Sequence, residues 1–251
     1  MSLSLRLQKI ADFVPEGGTM ADVGTDHGQL PVYLVKAHKI ERAIAMDVRS
    51  GPLSRAEETI RKYGCGEQIE LRLADGLSAL RPGEAGTVVI AGMGGALIRK
   101  ILEEGRHMWD FVEHWILSPQ SEIGETRHWL EQHGFSILKE DMVLDGGKYY
   151  VVMDVIRGFM HYDQEYEYTY GRNLIQEGNP VLKEYLELEK EKLQALMGRL
   201  KEQQENADAK RCAARMEELR EKERQADHAL KAFSSASESC PFIQGRKRTW
   251  I

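Results

Sequence analysis

Residues 19–34, TMADVGTDHGQLPVYL, decide how this chain is read. An apolar run ends in Asp22-Val23-Gly24, and a polar turn, Thr25-Asp26-His27-Gly28, follows. A helix is expected from about Pro31, because a first-turn residue needs no N–H. Strand, glycine turn and helix N-terminus together bring backbone close to a nucleotide-like ligand. The pattern is D-x-G-x-D-x-G rather than the dinucleotide fingerprint G-x-G-x-x-G. An acid where a phosphate cradle wants glycine argues against a pyrophosphate. It favours a ligand with positive charge or free hydroxyls, and S-adenosylmethionine has a sulfonium, an ammonium and a ribose. An ordinary β-α turn of an unrelated α/β domain has the same local look, so the flanking sequence must decide.

A second strand, residues 42–46, is nearly all apolar, as a parallel strand covered on both faces should be, and it ends in Asp47. An acid about 20 residues beyond the glycine turn suits ribose hydroxyls. The competing role, a helix cap, is disfavoured because the next helix is expected only after Gly51-Pro52, over residues 53–63. A third strand, 69–73, leads into Ala74-Asp75-Gly76. There Asp75 either accepts from the exocyclic amine of adenine or turns the chain before Gly76. A fourth strand, 87–91, runs into Gly92-Met93-Gly94-Gly95 and a helix over 96–104. Helix packing explains one such glycine; three imply that a ligand approaches the backbone, with Met93 as a soft apolar surface beside it.

A fifth strand, 113–117, ends in Ser118-Pro119-Gln120, where the Gln120 amide suits a base edge. A helix over 125–132 and two strands, 135–144 and 149–156, complete the unit, the strands flanking the hairpin signal Asp145-Gly146-Gly147-Lys148. The pattern predicts an α/β fold: a mostly parallel, doubly wound sheet of seven strands with an antiparallel edge. Strand ends near residues 24, 47, 75, 92 and 118 then share one rim, where such sheets bind ligands. A first helix over 4–14 precedes the sheet, with Arg6 and Lys9 off its apolar side, either solvated or meeting phosphate at the entrance.

At Gly158 the texture changes, giving expected domains of 1–158 and 159–233 and a tail of 234–251. Leu182, Leu186, Leu193, Leu196 and Leu200 form one seam, and Met216, Leu219, Ala226 and Leu230 another. A helix over 181–204, a reversal at 205–208 and one short helix before them predict an antiparallel, coiled-coil-like hairpin. That first helix spans about 36 Å, enough to cross an RNA helix. Its mixed charge reads as a solvated face or, at Lys190, Lys192, Arg199 and Lys201, as phosphate contacts. The tail ends in GRKRTWI, is poor in apolar residues and is expected to be disordered.

The 251 residues suffice for a sizeable core, and 42% hydrophobic with 29% charged content fits a globular chain. No apolar run reaches the length of a membrane span, and the N-terminus lacks a secretory pattern, so a cytoplasmic protein without membrane contact is expected. Cys65, Cys212 and Cys240 are far apart and have no metal-like spacing, so reduced thiols and no metal are expected. A net charge of -6 argues against non-specific nucleic-acid binding but allows a local basic patch.

Taken together, RLQKIADFVPEGG, ADVGTDHGQLPVYL, AIAMDVRSGPL, ADGL, VVIAGMGGALI, RHWLEQHGF and DGGKYYVV resemble the TrmK family, the bacterial tRNA adenine-N1 methyltransferases that modify adenosine 22. The resemblance implies a class I (Rossmann-like) methyltransferase fold with a coiled-coil C-terminal domain, S-adenosyl-L-methionine as cofactor and tRNA as partner. It implies a cofactor turn of Asp22, Gly24, Asp26 and His27, with Asp47 on the ribose and Asp75 on the adenine side. Met93 and Gly94 would sit by the methyl group, and Gly76 and Gly92 are further cofactor-binding candidates. His27 either touches the methionine part or braces the turn. Asp26, Met93 and Gln120 are the candidate catalytic residues: an acid for charge developing on adenine, an apolar support and an amide for the base. The family reads Gln-Pro-Asn where this chain has Ser118-Pro119-Gln120, which keeps an amide only at Gln120. A monomer is favoured. Two other classes remain: a methyltransferase on another RNA, a protein or a small molecule, with the hairpin serving association; and a non-enzymatic partner-binding protein on a degenerate nucleotide fold.

Overall fold

The computed structural model describes residues 1–203 and 209–238. The chain divides into two compact units, Met1–His161 and Tyr162–Ile251.

In the first unit, five parallel strands form the centre: β1 (Thr19–Val23), β2 (Arg42–Asp47), β3 (Ile69–Leu73), β4 (Thr87–Ala91) and β5 (His114–Ser118). The hairpin β6 (Phe135–Asp145) and β7 (Lys148–Arg157) adds the antiparallel edge, giving the order β3-β2-β1-β4-β5-β7-β6. The register is what makes a rim. Val23 lies opposite Met46 and Ile90, Asp47 opposite Leu73, and Ala91 opposite Ser118, so all five parallel strands finish level. The hairpin turns through Gly146 and Gly147, both at positive φ (56° and 77°), the mirror-image turn that suits twisted strands.

The helices are α1 (Leu5–Phe13), α2 (Gln29–Lys36), α3 (Ser50–Tyr63), α4 (Gly95–Glu104) and α5 (Ile123–Gln132). Several begin earlier than the sequence suggests. Pro31 and Pro52 each stand third in their helix, not at or before its start, because the whole first turn lacks N–H partners and tolerates proline throughout. Ile10 of α1 and Leu34 of α2 share one core with Met20, Ala45, Val89, Ile116 and Val152 of the sheet. Trp115 alternates with Ile116 along β5. It meets Phe135 edge-on at 6.2 Å between ring centroids, and Trp109 meets the same ring at 5.0 Å.

The second unit opens with two short helices rather than one, α6 (Glu165–Tyr170) and α7 (Arg172–Gln176), because Gly171 adopts a φ of 98° between them. Two long helices follow, α8 (Pro180–Gln203) and α9 (Ala209–Glu238). Lys190 pairs with Asp227 and Gln194 with Glu223, an antiparallel correspondence. Leu182, Leu186 and Leu193 are buried on α8, and Leu219, Ala226, Ala229 and Phe233 on α9, whereas Leu196 is exposed. The seam therefore covers only part of the expected leucine row. The expected reversal at 205–208 lies outside the described residues, as does the tail from 239; α9 itself continues to Glu238, past the expected start of disorder at 234.

Phe135 is fully buried among aromatic rings. Phe135→Ala should cost about 3–5 kcal/mol. The loss is measurable as a shift of the urea transition followed by tryptophan fluorescence.

Candidate active site

The first turn of the site is set by Gly24 at a φ of 78°, followed by His27 and Gly28 at 59° and 60°. The N–H groups of Gly24 and Thr25 both donate to the Met46 carbonyl at 2.8 Å, which ties the turn to the end of β2. Asp22 and Asp47 are both buried, on adjacent strands. Burial pushes the Asp22 carboxyl up to about 6, the Thr25 hydroxyl offsets part of this, and the charge of Asp47 adds to it. Asp47 Oδ1 accepts the Arg49 N–H at 2.8 Å. Arg49 is the N-cap of α3, so that helix begins closer to Asp47 than the sequence suggests, and one carboxylate oxygen does engage the cap. The other oxygen has no hydrogen-bond donor among the described residues. Asp47 thus combines the capping contact with a free acceptor.

A cavity of about 650 Å³ lies over this rim. It is lined by Asp22, Gly24, Asp26, His27 and Asp47, and also by Asp75, Gly76, Gly92 and Met93. The Met93 methyl lies 2.1 Å from the point where a Cβ on Gly24 would sit; that flexible end can move aside, and it is the positive φ of Gly24 that favours glycine there. Asp75 is exposed and its carbonyl accepts the Ser78 N–H at 3.2 Å; the turn role and an open side chain coexist. Asp26 is exposed and already engaged, with Arg55 Nη2 at 3.1 Å and His27 Nε2 at 3.6 Å from Oδ1.

Two candidates lie outside the cavity wall. Gly94 is the N-cap of α4, and a Cβ there would meet the Ser121 hydroxyl at 3.0 Å, not the cavity. Gln120 is exposed and is linked through its backbone, its N–H donating to the Met93 carbonyl at 2.9 Å. Gly95, not singled out from the sequence, is the most constrained of the run: a Cβ would come within 2.7 Å of the Ser121 and Glu122 carbonyls and of the Thr126 hydroxyl. Together with Gly95 N–H to the Ser121 carbonyl at 3.0 Å, these contacts lock the loop after β4 to the loop after β5. Sequence reasoning also missed Val48 and Leu97, exposed apolar residues of the wall. The position of Val48, directly after Asp47 at the end of β2, was the available signal. Arg6 lines the cavity, whereas Lys9 does not; it pairs with Asp141 at 2.5 Å.

Residues 3–153 match the family model described as a methyltransferase domain. The Bacillus subtilis TrmK structure, a m1A22 tRNA methyltransferase, superposes with a TM-score of 0.79 at 31% identity, over 91% of this chain and 99% of that one. The chain belongs to the TrmK family of methyltransferases. The curated Bacillus subtilis tRNA (adenine(22)-N(1))-methyltransferase is 40% identical over 153 residues, which is 61% of this chain and 64% of that relative's length. Streptococcus pneumoniae Sp1610, solved in complex with S-adenosyl-L-methionine, is 33% identical with a TM-score of 0.81, over 91% of this chain and all of that one.

The cavity's chemistry fits such a donor. Among the described residues no cation comes within ion-pair distance of the buried Asp22, so a ligand bearing positive charge would supply what the protein does not. Asp47→Ala should weaken S-adenosyl-L-methionine binding by about tenfold or more, the loss of a charge-assisted hydrogen-bond pair. Titration calorimetry measures this, with an unchanged melting temperature showing that the fold is intact.

The raised Asp22 carboxyl has a pH signature. In the ligand-free protein it favours folding at acid pH, and that contribution is lost as pH rises through about 6. A cationic donor needs the ionised form. Its affinity should therefore be constant above about pH 7 and fall as pH drops below about 6, with proton release on binding in that window. Calorimetry in buffers of different ionisation enthalpy reads both.

Proposed function

We propose that this chain transfers a methyl group from S-adenosyl-L-methionine to N1 of adenosine 22 in tRNA. The observation that carries the reading is the meeting of Asp22, Asp47 and Met93 in one cavity at the carboxyl rim. Membership of the TrmK family supports it, as do the relatives named for this activity.

When bound, the donor supplies an electrophilic methyl on a sulfonium. In this reading Asp47 orients the ribose and Asp75 the adenine side, while Asp22 balances the donor's positive charge. Met93 and Gly92 border the methyl. Adenine N1 has a free lone pair, so no side chain must remove a proton before attack. The protein's task is alignment, which supplies up to about 7–11 kcal/mol in ideal cases. N1 of a paired or stacked base is blocked, so the nucleotide must swing out of its stack. Gln120 receives it; the backbone link to Met93 keeps base and methyl in register. Asp26, engaged by Arg55 and His27, fixes the turn against α3 and reaches the acceptor only if Arg55 lets go. The second unit supplies tRNA contacts. Among its candidate cations Lys192 and Arg199 are exposed, whereas Lys190 is tied to Asp227. We place the enzyme in the cytoplasm, as a monomer. The free thiols of Cys65 and Cys212 accord with a reducing compartment.

Incubation with unmodified tRNA and donor, followed by reverse transcription, tests the reading. The expected result is a new stop at adenosine 22 that disappears in Asp47→Ala. A stop elsewhere, or methyl transfer to another substrate only, would refute it.

A further inference from the structure

The loops that leave β4 and β5 run side by side beyond the rim, and their contacts carry on where the strand ladder stops. Ala91 and Ser118 are the last pair of the two strands. After them the Gly92 N–H donates to the Ser118 carbonyl at 3.3 Å, the Gln120 N–H to the Met93 carbonyl at 2.9 Å and the Gly95 N–H to the Ser121 carbonyl at 3.0 Å. Met93 lines the cavity and Gln120 stands outside it. These rungs fix how far the residue beside the methyl stands from the residue that receives the base.

The last rung is made by a side chain. Arg99, in the second turn of α4, reaches across to the start of α5. Its Nη2 meets Glu122 Oε2 at 2.5 Å, and its Nη1 donates at 3.4 Å to both the Glu122 carbonyl and the Thr126 hydroxyl. The Thr126 hydroxyl, fully buried, donates to the same carbonyl at 2.7 Å. With its side chain only 20% exposed, Arg99 has little freedom to swing away.

The residue it grips is in an unusual state. Glu122 is the N-cap of α5 and has a φ of 50°. Glutamate rarely takes this left-handed conformation, and a residue held in it persists only where its surroundings over-determine it. Glycine would take the same turn without strain. A glutamate here is therefore explained by what its carboxylate binds, which is Arg99. Gly95, packed against the Ser121 and Glu122 carbonyls, leaves the clamp no slack.

We propose that Arg99 is a positioning residue for methyl transfer: by holding Glu122 in its left-handed turn it sets the loop 118–122, and with it the distance at which Gln120 presents the acceptor base to the methyl. The inference rests on the reading of Gln120 as the residue that receives the base. Single-turnover methylation of unmodified tRNA at saturating donor and tRNA tests it, with donor affinity read by titration calorimetry. Arg99→Ala should slow transfer about tenfold or more, the effect of a misplaced acceptor, and leave donor affinity unchanged. Arg99→Lys, which keeps the charge but not the fork over carbonyl and hydroxyl, should recover part of the rate. Glu122→Ala should be as slow as Arg99→Ala, and Glu122→Gly should be faster than Glu122→Ala because glycine keeps the turn. Adding Arg99→Ala to Gln120→Ala should slow transfer no further than Gln120→Ala alone, since the two act through one residue. Losses that multiply in the double variant would overturn the proposal. So would wild-type rates in Arg99→Ala and Glu122→Ala with only the melting temperature lowered, which would make the clamp a packing feature. Donor affinity that falls in step with the rate would overturn it as well. In each of these cases a slow Gln120→Ala leaves the base-receiving reading standing; a wild-type rate in Gln120→Ala would sink that reading and the inference with it.

Discussion

Two carboxylates are buried on neighbouring strands in the middle of a parallel sheet, and the rest of the site answers to that constraint. Burial and the nearby charge of Asp47 push the Asp22 carboxyl up, and the protein offers partial relief: the Thr25 hydroxyl beside Asp22, the Arg49 backbone N–H and side chain beside Asp47. A sequence under pressure for stability alone would replace such a pair. Its presence makes sense where a cationic, hydroxyl-bearing ligand completes the balance, so the cost in the free protein becomes selectivity for the ligand.

Around that pair the backbone is arranged to leave little room. Gly24 yields to the Met93 methyl, Gly92 to the Arg6 guanidinium and Gly95 to the loop after β5. Gly24 belongs to the turn after β1 and the other two to the glycine run after β4, and each has a different neighbour. The last is architectural: it holds the loops after β4 and β5 together. Gly94, which looks equivalent on paper, faces Ser121 instead of the ligand space.

Much of the fold was legible because parallel strands covered on both faces must be apolar and must stop at a polar turn. Residues 19–23, 42–47 and 87–91 show this directly, while 69–73, the edge strand, alternates with Glu70 and Arg72. The hairpin was legible from Asp145-Gly146-Gly147-Lys148, since only such residues accept the positive φ that a two-residue turn needs. Helix starts were less legible, because Pro31 and Pro52 fit any position in the first turn. The leucine row of α8 overstated the buried seam, since spacing alone does not say where a partner helix stops covering it; Leu196 shows the difference. In the site, the acids and glycines of the strand ends were readable from position. Val48 was readable in the same way, directly after Asp47, whereas the sequence left Arg6 between solvent and the entrance, because what brings it to the rim is tertiary: α1 is anchored by a carboxylate 139 residues away.

That long-range anchor has a consequence for the order in which the molecule matures. The strands bearing Asp22 and Asp47 pair with each other and α1 packs on the sheet through Ile10, but the Arg6 N–H has its acceptor in Asp145, near the far end of the first unit. A chain still missing that hairpin lacks the carboxylate that fixes the start of its first helix. The stretch of cavity wall where Arg6 stands is therefore completed by the last strands of the first unit to be made.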